Sequence, residues 1–88
     1  IVWLPIKAIV LLRSTWLEQS YLKAARLYHL AADQGHAKGQ FHLGLMYKNG
    51  RGVEQSDSEA AQLYRLAADQ GHARAQFHLG VMYKNGRG

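Results

Sequence analysis

The side chains best able to do chemistry in this chain are five histidines, at positions 29, 36, 42, 72 and 78. His36 and His42 recur as His72 and His78, whereas His29 gives way to Arg65. Two imidazoles that hold one metal ion from a single helical face stand four residues apart, but His36 and His42 stand six apart. His36 also falls in what reads as a turn between helices. A stacked pair such as His36 and His72 could share an ion, yet no carboxylate or thiolate is arranged to finish the site. The histidines therefore read as structural or exposed, and neither a metal nor a cofactor is expected.

Asp33-x-x-His36 and Asp69-x-x-His72 have the form of an acid–histidine pair awaiting a nucleophile. Ser14, Ser20, Ser56 and Ser58 all lie outside the shared turn, and Ser20 and Ser56 are better placed as helix caps. The pair is also duplicated, whereas an active site is usually singular. The Asn-Gly-Arg-Gly loop lacks the Gly-Lys-Ser/Thr that precedes a helix in phosphate loops. The absence of cysteine removes disulfide frameworks, thiolate zinc sites and cysteine nucleophiles together. It is compatible with a reducing compartment, and the cytoplasm is the favoured location. The chain thus reads as a non-enzyme with no small-molecule substrate.

These residues sit on a repeat. Sliding the sequence by 36 positions lays 17–52 onto 53–88, and only nine of the 36 pairs differ: 17/53, 21/57, 22/58, 23/59, 26/62, 29/65, 38/74, 39/75 and 45/81. A fixed period in this range marks stacked supersecondary units. Each unit reads as two helices. In the second unit Ser56 and Glu59 form a capping box, and Asp57 adds negative charge to the first turn. Ala60, Leu63, Tyr64, Ala67 and Ala68 make an apolar stripe, which Gly71 stops. A second helix runs from about Ala73 to Lys84 and ends at Asn85-Gly86.

Glycine costs about 1 kcal/mol relative to alanine inside a helix, yet Gly44 and Gly80 hold the same mid-helix place. Close approach of the paired helix is the expected reason. The aromatics Tyr28/Tyr64, Phe41/Phe77 and Tyr47/Tyr83 are expected in the core. In the first unit Lys23 follows Ser20 where a Glu would complete a box. Thr15 and Glu18 offer another, so that helix is expected to begin near Trp16, with Trp16, Leu17, Tyr21 and Leu22 extending an apolar surface.

The block Ala31-Ala32-Asp33-Gln34-Gly35-His36-Ala37, then Gln40, Leu43-Gly44, Met46-Tyr47 and Asn49-Gly50-Arg51-Gly52, resembles the Sel-one-like repeat family. Its second copy runs from Ala67 to Gly88, and the match covers 17–88. The resemblance implies an all-α fold, a right-handed α–α superhelix or solenoid of antiparallel helix-turn-helix repeats, tetratricopeptide-like. It also implies an adaptor or scaffold that binds a protein or peptide partner on a concave face. The alternative is a membrane-associated adaptor or enzyme regulator, for example in protein quality control. Some secreted bacterial relatives staple each repeat with a disulfide, and this chain has no cysteine to do so.

The differences between the units point to a surface. Pairs 22/58, 26/62 and 29/65 fall at i, i+4 and i+7, one face of the first helix. The identical Leu27/Leu63, Tyr28/Tyr64, Ala31/Ala67 and Ala32/Ala68 lie on the other side. In tetratricopeptide-like solenoids the first helix lines the concave surface, so the resemblance implies that Leu22, Arg26, His29, Ser58, Gln62 and Arg65 border the groove. Asp33 and Asp69 continue that face.

The net charge of +5 divides into Lys7 and Arg13 before residue 17 and nine Lys/Arg against six Asp/Glu after it. These charges are interspersed, and the aromatics fall on expected buried faces, so the pattern suits a solvated surface better than a nucleic-acid platform. Residues 1–16 share no identity with 37–52 and form an apolar non-repeat leader. The run is too short to span a membrane, carries Lys7, and lacks the marks of a signal peptide. A helix starting near Pro5 could cover the open end of the first repeat. A truncated membrane or signal segment and an assembly artefact are the other readings. The chain starts without methionine and stops inside a loop, as a piece of a longer array would. Arrays generally need about three or more repeats, so the isolated chain is expected to be marginally stable.

Overall fold

Proline at position 5 has a fixed φ suited to helix entry, and neither glycine nor proline follows until Gly35. The backbone accordingly forms one uninterrupted helix, α1 (Ile6–Asp33), with Pro5 as its N-cap residue. The computed structural model describes the backbone of residues 5–86 and the side chains of 5, 6 and 15–86. The expected start near Trp16 is therefore corrected: Thr15 and Glu18 lie inside the helix, because nothing upstream of them breaks it. Residues 6–16 of the leader form the first part of α1, which starts beside Pro5. What its residues 1–4 and the side chains of 7–14 cover lies outside the described residues, as do Arg87 and Gly88.

Three more helices follow: α2 (Ala37–Asn49), α3 (Asp57–Asp69) and α4 (Ala73–Lys84). The chain is all-α, an α–α solenoid in which α2 packs on α1 and α3, and α3 on α2 and α4. Its extents of 56 × 29 × 19 Å reflect α1, whose 28 residues span about 42 Å. Among the described residues, no helix is long and apolar enough to cross a membrane.

The turns are copies of one another. At the end of α1 the amide of Gly35 donates to the Ala32 carbonyl at 2.9 Å, and that of His36 to Ala31 at 3.1 Å. Gly71 and His72 repeat both bonds with Ala68 and Ala67. This double closure needs a left-handed residue, and Gly35 and Gly71 supply it with φ of 83° and 87°. The next helix starts on the following residue. His36 Nδ1 accepts from the Gly39 amide at 3.0 Å, and His72 Nδ1 from that of Ala75 at 3.1 Å. The Ser56 hydroxyl caps α3 by accepting from the Glu59 amide at 3.1 Å.

The core lies between α2, α3 and α4, around Phe41, Ala60, Tyr64, Ala67, Ala75 and Met82. Small residues set the helix separations. A methyl group at Gly44 would stand 2.8 and 2.9 Å from the Tyr64 ring, so this glycine admits a tyrosine of the next unit. That corrects the expectation of close approach by the paired helix, a role held by Gly39, where a methyl group would meet Ala31 Cβ at 2.8 Å. Gly80 has nothing within 4 Å of such a group. A side-chain pair crosses the units: Gln70 Nε2 donates to Oε1 of buried Gln40 at 2.8 Å. The Tyr64 hydroxyl is buried without a hydrogen-bond partner, and burial pushes its pKa up to about 12.

Three residues expected in the packed interior are exposed. Phe41 is fully buried but Phe77 is 69% exposed, Tyr83 is 56% exposed, and Leu27 is 66% exposed. Their repeat mates Tyr47 and Leu63 are half-buried. The reason is position in the stack: α2 and α3 have neighbours on two sides, while α1 and α4 each have one.

Candidate partner-binding face

Residues at i, i+4 and i+7 share one face of a helix, and both first helices display that face. Leu22, Arg26, His29 and Asp33 on α1 and Ser58, Gln62, Arg65 and Asp69 on α3 are all exposed. They do not form one site of eight. Leu22, Arg26 and His29 come together, lining a hollow of about 350 Å³ with Ala25, Leu30, Gly52 and Val53. None of the four α3 residues lines it.

A second hollow, of about 410 Å³, continues from the first along α1 and shares Leu22 and Gly52 with it. Glu18, Tyr21, Gly50 and Arg51 complete its lining. The groove exists because the α2–α3 connection lies against α1. Gly52, with φ of 74°, passes so near the Tyr21 carbonyl that a Cβ there would collide with it. The Arg51 guanidinium lies 5.3 Å from the centre of the Tyr21 ring, a cation–π contact that ties the connection to the helix. The result is an apolar floor of Leu22, Leu30 and Val53 with Glu18, Arg26 and Arg51 beside it.

Three side chains of the expected face already have partners. His29 Nδ1 and Asp33 Oδ2 lie 3.1 Å apart, both exposed, so solvent screening leaves the pair little energetic weight. Arg65 Nη2 donates to the Tyr83 hydroxyl at 2.6 Å, linking α3 to α4. Asp33 is thus beside His29 rather than His36, whose Nδ1 caps α2. His42 stacks on Tyr28 with ring centres 5.1 Å apart. Its pKa is lowered from 6.5 by burial first, then by Lys38, Arg74 and His72. Among the described residues, no three metal-ligating side chains gather into a group that could hold an ion.

Sequence comparison missed Leu30, Val53, Gly52 and Ala25 as groove residues. Leu30 stands eight residues after Leu22 and four after Arg26, so helical spacing places it on the same face. Leu30 is identical to its mate Leu66, so the differences between the units carry no signal there. Both leucines are exposed, which only a structure reveals.

Comparison with known proteins gives a consistent result. The family model described as Sel1 repeat matches residues 8–36, 37–72 and 73–88, cutting the same period at the start of the second helix. A crystal structure of a Sel1 repeat protein from Oxalobacter formigenes superposes with a TM-score of 0.74 and 43% sequence identity. The alignment covers 76% of this chain and 28% of that one, so the present chain spans well under half of that protein's length. No curated protein matches the chain.

Proposed function

The chain belongs to the Sel1 repeat family, and from that premise we propose that it holds a protein or peptide partner along the α1 groove without catalysing a reaction. Sel1 repeats are generally protein-interaction modules. The observation that carries the finer reading is the convergence of Leu22, Arg26 and His29 with Leu30 and Val53 around one hollow. Exposed apolar side chains rimmed by charge favour a partner segment with two or three apolar residues and an acidic flank. The apolar floor would supply burial, while Arg26 and Arg51 would fix register and direction through the partner's carboxylates. The α3 residues Ser58, Gln62 and Asp69 offer a continuation of the same surface, and Arg65 joins them less freely because Tyr83 holds it.

A rigid scaffold suits such a role, since helices ordered before binding add little entropy cost when the partner docks. The test is Leu22→Asp combined with Arg26→Glu. Both residues are exposed, so helicity and melting midpoint should stay near wild type. Truncating a central contact typically costs about 2 kcal/mol or more, so partner affinity should fall by roughly 30-fold. Unchanged capture of the same partners by a folded double variant contradicts the groove assignment.

A further inference from the structure

Four of the five histidines bond through Nδ1, and they do so in two opposite senses. His29 Nδ1 meets Asp33 Oδ2 at 3.1 Å, and His78 Nδ1 meets the Arg74 carbonyl at 2.8 Å. Both partners are oxygens that accept, so these rings keep their bonds when protonated. His36 and His72 are the reverse. Their Nδ1 atoms accept from the Gly39 and Ala75 amides at 3.0 and 3.1 Å, which leaves the ring proton on Nε2. An imidazolium has two N–H donors and no acceptor, so either cap is lost when its ring takes up a proton. Gly39 and Ala75 are both buried residues, where water is a poor substitute for the imidazole.

The surroundings of the caps oppose a proton there. α2 and α4 start at His36 and His72, where the helix dipole is positive. Neither first turn holds an acidic residue, and each holds a cation, Lys38 or Arg74. His72 is half-buried, with its ring centre 4.9 Å from that of Phe41. Packed on the same ring are Arg74 and His78 from α4 and Tyr64 from α3, with His42 beside it on α2. The Arg74 guanidinium already lies over Phe41 at 5.1 Å, so a second cation there would meet repulsion from the first. Beside His36 stand Tyr28 from α1 and Lys38 and His42 from α2. The carboxylates nearest in sequence, Asp33 and Asp69, end α1 and α3, and Asp33 is engaged by His29. The same cations act on His42, whose pKa is lowered by burial first and then by Lys38, Arg74 and His72.

We infer that the hairpin turns are acid-labile: a proton taken up at His72 or His36 frees the first turn of α4 or α2, and at His72 it also loosens the joint between the two units. Imidazole titrates within roughly pH 5–8. The sign follows from the bond. Only the neutral ring can accept, so the stability the caps contribute is complete above that range and is lost as pH falls through it. The cap recurs with the repeat, so the response recurs at each turn instead of residing at one place. It acts at the turns and not in the α1 groove, so it stands independently of the proposed partner site.

Chemical denaturation between about pH 8 and about pH 5, on wild type and on His36→Asn combined with His72→Asn, tests this. Asparagine supplies a capping acceptor that does not titrate. The folding equilibrium constant of wild type should fall with acid. The fall should be at least about fivefold smaller in the double variant, with the remainder owed to His42. Nitrogen NMR of the wild type gives a second readout that does not depend on the variant folding. At about pH 8 the Nδ1 atoms of His36 and His72 should give unprotonated resonances. As these rings gain protons, the Gly39 and Ala75 amides should shift with the same midpoint and lose protection from hydrogen exchange. Three results overturn the inference: a folded double variant that loses stability with acid as steeply as wild type; Nδ1 protonated at about pH 8; or Gly39 and Ala75 amides that stay unmoved while the two rings titrate.

Discussion

Gly44 and Gly80 are the same residue at the same place in two copies of one helix, yet replacing each by alanine should move stability in opposite directions. Alanine is better than glycine in a helix interior by about 0.8–1 kcal/mol, and this term applies equally to both sites. At Gly80 nothing lies within 4 Å of the added methyl group, so the gain of about 1 kcal/mol should be kept. At Gly44 the methyl group would stand 2.8 Å from Tyr64 Cε1 and 2.9 Å from Cδ1. That ring is fully buried in the core cluster, so moving it aside would disturb its packed neighbours. Forcing an extra carbon into a packed core costs about 1–3 kcal/mol, so Gly44→Ala should lose up to about 2 kcal/mol net. The propensity terms cancel in the comparison, and the difference between the variants reads the overpacking directly. With a midpoint shift of roughly 4–8 °C per kcal/mol for a domain this small, thermal melts at low micromolar concentration should separate the two clearly. The penalty should persist in a Tyr64→Phe background, because the clashing ring carbons remain. Equal shifts of the same sign at both glycines would refute the close packing of α2 against α3.

Other consequences follow from the caps and buried rings. His36→Ala should cost about 1 kcal/mol in chemical denaturation, and His36→Asn should recover most of it, because the cap needs only a side-chain acceptor for the Gly39 amide. The depressed pKa of His42 means that the fold favours its neutral form. Its contribution is therefore intact above the unfolded value of 6.5 and is lost as pH falls from there towards the lowered folded value. His42→Phe should flatten the loss of stability between neutral and mildly acid pH, and an unchanged slope counts against that burial. Tyr64→Phe removes a buried hydroxyl that has no partner and should leave stability equal or higher by about 1 kcal/mol. It should also remove a decline above pH 10, where an unfolded tyrosine ionises and the folded one, at about 12, does not.

Local chemistry made much of this fold legible in the sequence. Ser56 with Glu59, Gly71 and Asn85-Gly86 fixed the bounds of α3 and α4, because caps and left-handed stops act within a few residues. The period showed which residues would be equivalent. Equivalent residues are not equivalently placed, however, since α2 has neighbours on two sides and its mate α4 on one. That is why Phe41 is core and Phe77 is surface. Thr15 and Glu18 have the form of a capping pair but start no helix, because no breaker stands between them and Pro5. The capping role of His36 and His72 was missed because imidazole stands outside the usual Ser, Thr, Asp and Asn set. The groove was half legible: helical spacing gathered Leu22, Arg26 and His29, but Val53 and Gly52 reach it only through the path of a loop.

The central claim, that the α1 groove is where a partner binds, is tested most directly by site-specific photo-cross-linking in the intact protein. A photoreactive residue at Arg26 or Leu30 should form an adduct with the partner. The same residue at Ala73, exposed at the start of α4 and outside the lining of both hollows, should give little or none. Adducts from Ala73 in place of Arg26 and Leu30 would contradict the account.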